Sequence, residues 1–198
     1  MAKKTKKAGQ SVLKVISVLL GVLGAGWLFS EGWHGVFDYL TGYSKKYDFI
    51  DYFFSSNLFP VVTLFVAMLF IIRSLRDLDS LTGVFSIITA VLAVISLVAF
   101  CLSFFNGITA EKLFEPEGLI DCGKLVLLVA YFLFAMYTRN GGKIKNVAWA
   151  FAIVALIIIF GAAVYGFASK AFASASLVSY IFTVLAHLAI FFCGLRQY

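Results

Sequence analysis

Charge at depth is what this chain lacks most. Only 13% of its 198 residues are Asp, Glu, Lys or Arg, against about a quarter in soluble domains. No acid, lysine or arginine falls near the middle of any long apolar run. That argues against ion- or proton-coupled carriage through buried carboxylates. Cysteine is scarce as well. Cys101, Cys122 and Cys193 form no CxxC and no Cys/His cluster, so neither zinc nor an iron–sulfur cluster is expected. Cys101 and Cys122 lie at the ends of successive apolar runs, where free thiols or a disulfide both fit. There are two histidines, His34 and His187. They should lie half a bilayer apart by helical rise, too far to ligate one metal or haem. HExxH and GxSxG are absent, so no catalytic residue, metal site or cofactor is assigned.

Apolar sequence is present in excess. The chain is 62% hydrophobic with a mean hydropathy of +0.99. A water-soluble core of this size cannot hide so much apolar surface, so lipid or other helices must be the solvent. The expected fold is all-α: a polytopic six-span helical bundle. Its spans are 12–29, 57–73, 84–105, 122–138, 147–168 and 176–195. The second is short, and Pro60 fits its early turn or a kink. Residues 1–11 form a basic tail and 12–198 a single membrane domain. The first span reads as uncleaved, because Leu28 and Phe29 stand where a signal-peptidase site needs small residues.

The loops set the orientation. Lys3, Lys4, Lys6, Lys7, Lys14, Arg73, Arg76, Arg139, Lys143, Lys145 and Arg196 fall on one side. Only Lys45, Lys46, Lys112, Lys124 and Lys170 fall on the other. The positive-inside rule places the first side, with both termini, in the cytoplasm of a cell-membrane protein. Lys3, Lys4, Lys6, Lys7, Arg139, Lys143 and Lys145 are then the orientation signals and contacts for anionic headgroups. The bilayer and its anionic lipids are the expected partners, with another membrane subunit as a further one. Nucleic acid is not expected, since the basic residues flank apolar spans instead of forming a soluble face.

The loop 30–56 is long and aromatic. Phe49, Ile50, Phe53 and Phe54 after Asp48 predict an amphipathic helix in the outer interface. The loop 106–121 carries Glu111, Glu115, Glu117 and Asp121 and reads as a solvated acidic loop. The loop 74–83 sets Leu75, Leu78 and Leu81 between charges, as an interfacial turn or a partner contact.

Small residues predict where helices meet, because they let backbones approach. Ser17, Gly21 and Ala25 recur every four residues in the first span, and Ala148 and Ala152 do so in the fifth. These stripes serve packing within the bundle or, for the first span, docking on another subunit. The last span holds the polar signal. Tyr180, Thr183 and His187 share one helical face with Ser176. His187 is an ionisable group near the midplane, a candidate ligand or proton site. It is equally a candidate for plain interhelical hydrogen bonding.

Two functional readings follow. Six spans, cytoplasmic termini, a small-residue first span and a long first external loop resemble the vitamin-capture subunits of energy-coupling-factor transporters. That architectural resemblance implies a transport role, as a permease or substrate-capture subunit, and carries over no binding residue. The alternative is a non-catalytic structural or accessory subunit, favoured by the scarcity of buried polar groups.

Overall fold

Every apolar run predicted above becomes a helix, for a reason the solvent imposes. In lipid a backbone N–H or C=O has no water to bond, so each segment must satisfy its own. A computed structural model of the chain describes residues 12–30, 58–74, 79–107, 110–140 and 144–195. These form α1 (Val12–Ser30), α2 (Leu58–Ser74), α3 (Asp79–Gly107), α4 (Ala110–Leu113), α5 (Pro116–Asn140), α6 (Ile144–Ala168) and α7 (Ser174–Leu195). No strand occurs among the described residues. The interfacial helix expected in 48–54, His34, the tail lysines and Lys143 lie outside them.

Five helices are long and apolar enough to cross a membrane. α2 has 17 residues, about 25 Å by helical rise, and is short as expected. It sits inside the bundle, with Val62, Val66 and Leu69 fully buried. The chain is a helical membrane bundle. Its outer surface is apolar, with Leu23, Leu102 and Ile157 each at least 60% exposed. Facing water such a surface would aggregate, but facing lipid it is at no disadvantage.

Two loop expectations change. The acidic loop is partly helical. Pro116 opens α5, its missing N–H being no loss in a first turn. The Glu115 carbonyl accepts from Leu119 N–H at 3.0 Å, so Glu115 caps the helix. Asp121 is inside α5 and pairs with Lys124 at 2.9 Å, one turn apart on one face. On the other side of the membrane, α3 begins at Asp79 and takes up half of the predicted 74–83 turn. The three described cysteines are free thiols.

α5 is the central strut. It packs most extensively on α6, then on α3, and also touches α2. The alanine stripe makes the α5–α6 seam: Ala148, Ala152 and Ala155 have no exposed surface. A Cβ on Gly123 of α5 would stand 2.5 Å from Ile159 Cγ1, so glycine is needed there. Hydroxyls add cross-links. Ser86 Oγ of α3 donates to the Ala135 carbonyl of α5. Thr63 Oγ1 donates to the Phe59 carbonyl at 3.0 Å. Its single hydrogen is then spent, so Tyr131 O–H of α5 donates to Thr63 Oγ1 at 3.1 Å.

α1 is the least buried of the long helices. Its small-residue stripe turns inward onto α7. Ser17 and Ala25 are buried, and a Cβ on Gly21 would stand 3.0 Å from the Cys193 Cβ. Gly24 makes the closest approach: a Cβ there would stand 2.5 Å from the Ala186 carbonyl oxygen. Among the described residues the stripe is used within the bundle, against α7.

Candidate functional site

The face of α7 that carries Tyr180, Thr183 and His187 points inward at its middle. His187 is 1% exposed. Its Nδ1 lies 2.7 Å from the Thr183 carbonyl. A carbonyl only accepts, so Nδ1 carries the hydrogen and donates. Thr183 contributes its backbone and not its hydroxyl to this bond. Tyr180, two turns away, stacks its ring on Phe172 at 5.5 Å and lies apart from the imidazole. The three predicted residues are therefore one face but not one site.

Rings surround the imidazole. Tyr131 of α5 lies nearly parallel at 6.4 Å between centroids. Phe59 of α2 stands at 6.3 Å and Phe191 of α7 at 6.2 Å. His187 Nε2 is buried and has no hydrogen-bond partner. With Nδ1 protonated it is a bare acceptor in the neutral ring, a state that costs about 1–3 kcal/mol. No group of three or more His, Cys, Asp or Glu gathers among the described residues.

Phe191 has two sides. One meets His187, and the other forms part of a lateral groove between α6 and α7 of about 920 Å³. The groove is built from two rows at spacing four. Trp149, Ile153, Ile157 and Gly161 line it from α6, facing Val184, Leu188 and Phe192 of α7. Such rows lie on one helical face. The α6–α7 pairing is thinner than the α5–α6 one, because the alanine face of α6 is committed to α5. At the far end, Gly161 leaves open floor: a Cβ added there meets nothing within 4 Å.

Trp149 closes the near end. Its ring is held edge-on by Phe134 at 5.0 Å and by Phe191 at 5.6 Å. Its Nε1 is buried and without a hydrogen-bond partner. An indole N–H can only donate, and this one is unspent but sealed from the groove's surface. The groove thus presents apolar and aromatic rows, with a volume in the range of small-molecule sites.

Sequence reasoning missed Trp149, Gly161 and the groove. The signal was there only as the spacing of Trp149, Ile153, Ile157 and Gly161, which a lipid-facing stripe would share. Comparison of the chain with protein-family models, with curated proteins and with solved structures finds no match.

Proposed function

We propose that this chain is a transport-related membrane protein of the substrate-capture kind, which takes an apolar or amphiphilic molecule sideways from the bilayer. One observation carries the reading: the α6–α7 groove of about 920 Å³, walled by aliphatic and aromatic side chains. A ligand already dissolved in lipid needs no aqueous entrance, and a lateral groove suits it. Phe191 links the groove to His187, so an occupant that moves this ring also changes what the imidazole meets.

The same proposal includes the setting. The excess of Lys and Arg on one side supports a cell-membrane protein with both termini in the cytoplasm. Lys3, Lys4, Lys6 and Lys7 would hold the tail against anionic headgroups.

The accessory-subunit reading draws on the interior. The buried hydroxyls of Ser17, Thr63, Ser86 and Thr89 are each spent on hydrogen bonds inside the bundle. Mass spectrometry of the intact protein after gentle extraction separates the two. Capture predicts a retained apolar or amphiphilic small molecule. A stoichiometric protein partner with no small molecule would favour the accessory role.

A further inference from the structure

The imidazole inside the bundle has one nitrogen left to take a proton, and nothing around it is built to receive the charge. We propose that His187 is an acid-sensitive lock: α7 packs on α2 and α5 while the ring is neutral, and a proton on Nε2 favours their parting.

The packing suits a neutral ring. His187 is 1% exposed, and its one N–H is spent at Nδ1 on the Thr183 carbonyl at 2.7 Å. Nε2 is buried and meets no donor. The rings around it come from three helices: Phe59 from α2, Tyr131 from α5 and Phe191 from α7 itself. Protonation turns Nε2 from a bare acceptor into a bare donor that also carries charge. A buried charge without a partner costs far more than a neutral acceptor without one. The three ring centroids stand 6.2 to 6.4 Å away, beyond the range of about 6 Å in which an aromatic face holds a cation.

No counter-charge stands at this depth. α2 has no acid, and its one base is Arg73 in the last turn. α7 has neither acid nor base besides His187. The acids of α5 are Glu117 and Asp121, and Asp121 already pairs with Lys124 at 2.9 Å. Asp121 precedes Tyr131 by ten residues, about 15 Å along the helix. Tyr131 is the titratable side chain that faces the ring from these helices among the described residues, and its O–H is spent on Thr63.

Once parted from α2 and α5, a histidine exposed to water takes its proton near the ordinary imidazole value of about 6.5. The parted state then binds one proton more than the packed state. Packing is therefore favoured above that pH and loses ground as the pH falls below it. The lock operates whatever the α6–α7 groove holds.

The test is reversible unfolding of the full chain in mixed micelles by dodecyl sulfate, beside His187→Leu and His187→Gln. Titration elsewhere, as at the Asp121–Lys124 pair, is common to all three proteins and cancels in the ratio of their unfolding constants. From pH 6 to pH 5 the constant of the parent should rise about tenfold relative to either variant, the change that one extra bound proton sets. A ratio that stays constant overturns the lock. So does a rise against His187→Leu that is absent against His187→Gln, because an amide takes up no proton in this range.

Discussion

At the residue scale, the depth of His187 was legible because no Asp, Glu, Lys or Arg lies so far from a loop. Its partner was not legible. A shared polar face suggests hydroxyl and phenol groups around the imidazole, yet the bond found goes to the Thr183 backbone carbonyl at 2.7 Å. The intervening Phe59, Tyr131 and Phe191 come from tertiary packing, which one helix's spacing does not encode. This changes what substitution should do. The Thr183 carbonyl also lies in position to accept the helix's own bond from the residue-187 N–H, so losing the side chain does not orphan it. His187→Leu also removes the unpartnered Nε2. Its stability should therefore lie within about 0.5 kcal/mol of the parent or above it, measured by reversible unfolding in mixed micelles. A loss beyond about 2 kcal/mol would show that Nε2 is bonded in the membrane. Tyr131→Phe should behave differently, because it cuts the bond to Thr63 that ties α5 to α2. About 0.6 kcal/mol is the usual loss for such a bond in a membrane. In a Thr63→Val background the same change should cost less.

At the element scale, the helices were legible because each must satisfy its own backbone in lipid, so apolar length and helix length coincide. The boundaries moved outward where a cap or ion pair extended a helix beyond its apolar run, as at Glu115 and Asp121. The direction of the α1 stripe was left open, since small residues mark a close approach without naming the partner. Gly24 decides it: α1 meets the α7 backbone at the Ala186 carbonyl. Gly24→Val should push the two helices apart and destabilise the bundle by about 1–3 kcal/mol, whereas Gly26→Val, with open space around it, should do far less. The end of α6 offers the opposite test. Lys170 turns left-handed at φ 61°, while Phe172 N–H returns to the Gly166 carbonyl at 3.0 Å. A side chain in that region is strained and glycine is not. Lys170→Gly should thus stabilise the protein by about 1 kcal/mol, read from the same unfolding curves.

At the scale of the whole molecule, orientation and occupancy remain linked. The native thiols report poorly on sidedness, because Cys193 is buried behind Gly21. Exposed positions serve better. Ser174→Cys lies in the turn region at the start of α7 and Asn146→Cys near the start of α6, both exposed. An impermeant maleimide on intact cells should label the first and reach the second only after permeabilisation. The reverse pattern would invert the topology. The groove itself escaped the sequence for a plain reason. Toward lipid, a stripe that covers a groove and a stripe that covers nothing have the same composition. Only the arrangement of α6 against α7, with the alanine face of α6 turned to α5, distinguishes them. The most direct test of lateral capture is an experimental density map of the full chain in a lipid nanodisc. The account predicts continuous density between α6 and α7 from Trp149 to Gly161. A groove closed by direct contact of Ile157 with Leu188 would contradict it.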